Sequence, residues 1–129
     1  MPSYPAPHYH GIVAHGLQNG RNFGYPTANI EQLSPDWSDG NGVFAAKVRL
    51  DGQWLGAMLY TGTRPTLNLT EKTLEIHIFD FSKNIYGQNI DFQIIKKIRE
   101  EIRFNSTEAL IQQLQKDEQY AREILAMDC

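Results

Sequence analysis

The amino-acid sequence predicts a mainly β fold: an antiparallel barrel plugged or flanked by one C-terminal helix. Two observations carry this. From His10 to about Ile98 there are five or six short stretches of alternating side chains separated by turn residues, and from Asn105 the apolar period becomes that of a helix. Closing the sheet also removes exposed strand edges; an open sandwich, the structural alternative, keeps them.

At 129 residues the chain suits one domain, long enough to bury roughly two thirds of its unfolded surface around a single core. Residues 1–8, with three prolines and neither an apolar run nor a basic flank, read as a loose lead-in to a domain spanning 9–129. The formal charge of −3 and pI near 5.7 provide no general attraction to nucleic acid or to an anionic membrane, and no apolar run reaches spanning length. Cys129 is the only cysteine, so an internal disulfide and a thiolate metal cluster are both excluded, and a reducing, cytoplasmic setting is expected.

The elements follow in order. GLQNGRNFG repeats glycine at positions 16, 20 and 24, with Arg21 among them. Glycines let backbone amides approach and surround anionic oxygens, but no Gly-Lys-Ser/Thr follows, and a plain hairpin loop between two strands is the favoured reading of this stretch alone. In PTANI, which follows Tyr25, an extended chain puts Thr27 and Asn29 on one face and Ala28 and Ile30 on the other, a polar side and a core side. Two neutral oxygens beside a phosphate cradle fit a metal–nucleotide site better than an all-protein cage; local turn bonds are the alternative.

GVFAAKVRL places Phe44, Ala46, Val48 and Leu50 on one face, with Val43, Ala45, Lys47 and Arg49 on the other, as in a half-buried strand. Asp51-Gly52 and then QWLGAMLY read as a tight hairpin with a left-handed turn. TGTRPT is a turn whose Arg64 either grips phosphate or braces the loop.

TLEIHIFDF sets Leu74, Ile76 and Ile78 against Glu75, His77, Phe79 and Phe81. A mid-strand carboxylate among rings is partly desolvated, which suits proton abstraction; an ion pair with Arg49 or Arg64 at the rim is the competing reading. His77 is expected to pack or hydrogen-bond. His8, His10 and His15 match no common zinc spacing.

After SKNIYGQN, the alternation of Ile90, Phe92 and Ile94 blurs at Ile95. Arg99 marks the change from strand to helix, and a salt bridge to Glu100 or Glu101 is its simplest use. Asn105 or Ser106 can cap the helix, Asn105 with Glu108 at the capping-box distance; Leu110, Leu114, Ala121 and Leu125 form its stripe, and Asp117 on that stripe is expected to split it in two.

In series, GIVAHG, GR..GYPTAN, GVFAA, G.RPT, LEIHIFDF, IYG, IR.E.RF and S.EAL resemble riboflavin kinase, both the stand-alone enzymes and the C-terminal module of bifunctional riboflavin kinase/FAD synthetase, over Gly11 to about Leu125. The resemblance implies a six-stranded antiparallel Greek-key barrel with a C-terminal helix, and ATP-dependent phosphorylation of riboflavin to FMN and ADP. It assigns Thr27 and Asn29 to a Mg²⁺–nucleotide site, Glu75 as catalytic base, and Gly16, Gly20, Arg21 and Gly24 as a phosphate flap. Tyr86 falls in the ATP region and Arg99 at the flavin-side loop. No nucleic-acid or membrane partner is implied; the expected state is a monomer, with fusion to an FMN adenylyltransferase domain as an option for the native chain.

Two stretches depart from the family pattern: Asn19 replaces a frequent basic residue, and Tyr60-Thr61 replaces a frequent Asn-Ile pair. A flavin-binding barrel without kinase activity is the rival reading, and an oligonucleotide-binding barrel rests on topology alone.

Overall fold

The computed structural model describes residues 8–14, 27–65, 70–81 and 85–127. Among them are six strands, β1 (His8–Ala14), β2 (Ala28–Ser34), β3 (Gly42–Leu50), β4 (Gln53–Pro65), β5 (Thr70–Ile78) and β6 (Asn89–Arg99), and one helix, α1 (Thr107–Met127). The lead-in call falls on residues 1–7, outside the described set, and on His8, which opens β1.

Asp51 and Gly52 both adopt left-handed backbone angles, φ 50° and 80°. That pair of positive angles gives a two-residue turn whose twist matches the flanking strands, and Leu50 pairs with Gln53 directly across it. Pairing then runs unbroken along β3 and β4 to Gly42 opposite Thr61.

All pairings are antiparallel and close in the order β1-β2-β5-β4-β3-β6, with β6 returning to β1. Closure in this Greek-key order excludes the open sandwich. Inward residues from all six strands make one core, including Val13, Ile30, Phe44, Val48, Leu59, Ile76, Ile90 and Phe92. Ala28 and Ile30 both lie on this side, so the core face expected of the PTANI segment is the one observed.

A second cluster lies outside the barrel wall, where Ala45, Met58 and Phe79 meet Leu114 and Ala121 of α1. The expected half-buried pattern of β3 is therefore corrected at Ala45, which is fully buried although it faces outward, because the helix covers it. Gly56 permits the close approach: a Cβ there would stand 2.9 Å from Leu125 Cδ1 and 3.3 Å from Phe79 Cδ2.

The blurred pattern near Ile95 has a geometric cause. Ala46 pairs with Ile94 but Ala45 with Lys96, and Phe44 pairs with Lys97 but Val43 with Arg99, so β6 carries an extra residue at two places. Phe81 is likewise corrected: β5 ends at Ile78, Asp80 turns left-handed at φ 56°, and Phe81 packs on the barrel core rather than on the Glu75 face.

Ser106 caps α1, with its Oγ accepting from the Ala109 amide at 3.1 Å. The expected split at Asp117 does not occur, and the helix is continuous. Asp117 is 1% exposed, yet its carboxylate accepts from Arg99 Nε at 2.9 and 3.0 Å, from Arg99 Nη2 at 2.7 Å and from Gln113 Nε2 at 2.9 Å. A charge so fully satisfied can stay on a buried stripe without breaking it.

Candidate active site

Asn29 of β2 stands directly opposite Glu75 of β5, and Ala28 opposite Ile76. Since residues opposite one another share a face, the inward Ala28–Ile76 pair turns the Asn29–Glu75 pair outward, away from the core. Thr27, two residues before Asn29, closes the group: its Oγ1 donates to Glu75 Oε1 at 2.6 Å. The three residues thus form one outward-facing cluster on adjacent strands.

The described partner of Glu75 is thus a hydroxyl, and an ion pair with Arg49 is not formed. Arg49 sits opposite Trp54 and Asp91, near the far hairpin. The side chain of Arg64 lies outside the described set. His77, next along the face, is buried opposite Met58 and meets Phe79 edge-on at 5.7 Å, which is the packing role expected of it.

The geometry suits a hard cation. By donating its proton to Glu75, Thr27 Oγ1 keeps its lone pairs for another partner, and Asn29 brings a carboxamide to the same face. Among the described residues no three His, Cys, Asp or Glu side chains converge to hold a metal by themselves. Any ion bound here would need further oxygens from its ligand and water.

Ala14, the last residue of β1, pairs with Asn29. Ala14 and Thr27 flank the described set's gap at 15–26; the flap residues Gly16, Gly20, Arg21 and Gly24 all fall outside the described residues, as do Asn19 and His15. Beside β1 on its other flank lies the turn carrying Tyr86. Gly87 N donates to Val13 O at 2.8 Å and Val13 N donates to Gln88 O at 2.9 Å, so Tyr86, 57% exposed, stands at the same end of the barrel as Asn29.

On its other side Glu75 faces Tyr60 of β4; Tyr60 faces Val43 of β3, and Val43 faces Arg99 of β6. Asn29, Glu75, Tyr60, Val43 and Arg99 therefore occupy one lateral row across five strands. Arg99 is three interstrand steps from Glu75, about 14 Å along the sheet. Its guanidinium is held by Asp117, not by the Glu100 or Glu101 carboxylates expected to pair with it, and Nη1 donates to the Glu100 carbonyl at 3.1 Å. Glu101 instead folds back over β4, where its Oε2 occupies the space that a Cβ on Gly62 would need.

The row was not readable in advance. The Asp51-Gly52 turn sets the β3–β4 register, but nothing local sets β4 against β5, so Tyr60 could not be placed beside Glu75. Asp117 did carry a signal: an acid on an apolar stripe requires a cationic partner.

A family model described as Flavokinase: Riboflavin kinase matches residues 5–125. The chain belongs to the riboflavin kinase family. It is 44% identical over 116 residues to the bifunctional riboflavin kinase/FMN adenylyltransferase of Haemophilus influenzae, an alignment covering 87% of this chain and 36% of that protein. It is 42% identical to the RNA-binding riboflavin kinase RibR of Bacillus subtilis, covering 83% of this chain and 46% of that protein. The chain thus spans less than half the length of these relatives.

Among solved structures, a Streptococcus pneumoniae protein described as a macrolide-efflux protein superposes with TM-score 0.81 at 34% identity, over 89% of this chain and 38% of that one. The riboflavin kinase of Trypanosoma brucei superposes with TM-score 0.62 at 21% identity, over 97% of this chain and 83% of that one, and shows the shared fold. No helix among the described residues is long and apolar enough to cross a membrane.

Proposed function

We propose that this barrel transfers the γ-phosphoryl group of ATP to the terminal ribityl hydroxyl of riboflavin, giving FMN and ADP, with Glu75 as general base. The observation that carries the reading is the hydrogen bond from Thr27 to Glu75 with Asn29 directly across the strand pair. It brings together a carboxylate able to take a proton and two neutral oxygens able to face a metal–triphosphate.

Glu75 accepts the hydroxyl proton through a carboxylate oxygen as the ribityl oxygen forms its bond to the γ-phosphorus and the bond to the ADP oxygen breaks in line. Thr27 holds that carboxylate in place through its own hydroxyl. Thr27 and Asn29 would hold Mg²⁺, which supplies positive charge beside the triphosphate when bound. The glycine-rich stretch from Gly16 to Gly24, with Arg21, joins Ala14 and Thr27 in sequence and is the proposed phosphate flap. Tyr86, on the turn bonded to Val13, is assigned to the nucleotide. Arg99, anchored on Asp117, is assigned to fixing the 100–106 loop on the flavin side.

The relatives' names support fusion to an FMN adenylyltransferase domain in a native chain; a cytoplasmic setting is proposed on the cysteine usage alone. Glu75→Gln tests the assignment. It is expected to retain nucleotide binding while turnover falls by about 10² to 10⁴. Near-normal FMN formation by this variant would remove Glu75 from the role. Wild-type protein that binds riboflavin but forms no FMN with ATP and Mg²⁺ would establish the non-catalytic flavin-binding reading instead.

A further inference from the structure

Glu75 has two lateral neighbours on the outer face of the sheet. One is Asn29, on the side where Thr27 bonds the carboxylate; the other is Tyr60. In phosphoryl transfer the attacking and leaving oxygens lie in line, on opposite sides of the phosphorus. A donor seated on the Thr27–Asn29 side therefore leaves the acceptor to approach Glu75 from the side of Tyr60.

Tyr60 is built for such a place. Its ring packs against the cluster under α1 that contains Ala45, Met58 and Leu114, and its hydroxyl donates to Met58 Sδ at 3.8 Å, so it is braced from below while remaining only partly buried. A braced aromatic ring offers a flat apolar surface with little entropy left to lose on contact. Two residues along the same strand, Glu101 lies over Gly62 and brings the 100–106 loop to the edge of that surface.

We infer that Tyr60 is a substrate-positioning residue, the platform over which the hydroxyl-bearing chain of the acceptor is laid between Glu75 and the 100–106 loop. The inference rests on the riboflavin phosphorylation proposed above. It adds an acceptor-side residue to that reading. Tyr60 does not exchange protons; it sets where the attacking oxygen stands relative to Glu75.

Steady-state kinetics on wild type, Tyr60→Phe and Tyr60→Leu test it, with riboflavin varied at saturating MgATP and MgATP varied at saturating riboflavin. Tyr60→Leu preserves apolar packing under the helix while removing the ring. It should raise KM for riboflavin about tenfold, the effect of losing one well-formed contact, and leave KM for ATP within about twofold, whereas Tyr60→Phe should stay near wild type in both. A purely structural role would shift both KM values together or only the melting temperature. Unchanged riboflavin KM in a folded Tyr60→Leu, or equal movement of both constants, overturns the platform while leaving the kinase reading intact. Absence of FMN formation by wild type overturns both.

Discussion

Thr27 illustrates how much one hydroxyl can be asked to do. Its proton goes to Glu75, so the residue both orients the proposed base and keeps oxygen lone pairs available to a cation. Thr27→Val preserves shape and removes both functions. The Mg²⁺ concentration giving half-maximal FMN formation should rise by about tenfold or more, as when a metal-orienting group is lost, and Thr27→Ser should restore most of it. A Mg²⁺ dependence identical to wild type would show that Thr27 serves packing alone. At this scale the sequence is informative: alternation along PTAN by itself puts Thr27 and Asn29 on one face. The missing information was the partner strand, because the pairing of Asn29 with Glu75 spans 46 residues of chain and depends on how the barrel closes.

The helix is held at two places, and they respond to different perturbations. At its middle, Asp117 is buried against Arg99 and Gln113, so Asp117→Ala would strand the guanidinium in a largely buried setting and should cost about 3–5 kcal/mol in urea denaturation. The double variant Arg99→Met/Asp117→Leu should recover much of that loss, since no unpaired charge remains. If Asp117→Ala unfolds like wild type, the pair is not a structural anchor. Further along, Arg122 bonds both oxygens of Asp80 at 3.1 Å and Glu118 at 2.8 Å, and stands 4.4 Å from the centre of the Phe79 ring. Hydrogen bonding and charge from Arg122 hold the Asp80 carboxyl below its ordinary value. A lowered folded value means that the contribution is present above the usual carboxylate range and is lost as pH falls through the folded value. Wild type should therefore melt slightly above Asp80→Asn near neutrality, and the two curves should converge in acid; a gap independent of pH would refute the linkage. Asn tolerates the left-handed backbone at position 80, which makes it a fair control. The sequence showed the apolar stripe of α1 correctly. It misread Asp117 as a break because the compensating arginine belongs to another element.

For the molecule as a whole, the barrel wall has two working sides: an interior filled by apolar residues from all six strands, and an exterior shared between α1 and the Asn29–Glu75–Tyr60 row. The 129-residue chain should convert riboflavin to FMN in the presence of ATP and Mg²⁺, and should leave FMN unconverted to FAD, because the match to the bifunctional relatives extends over only about a third of their length. Chromatographic separation of the flavins tests this, and appearance of FAD would assign the barrel a second activity. Sequence alone determined the β class, the Asp51-Gly52 hairpin, the capped terminal helix and the polar face of PTAN, since each arises from local alternation, turn chemistry or helical period. Tertiary structure alone decided that Glu75 lies on the outer wall beside Asn29, that Tyr60 is its other neighbour, and that Arg99 reaches Asp117. Those contacts are set by strand order and by two extra residues in β6, and the free energy that selects them comes from closing the barrel around its core, which no short stretch of chain encodes.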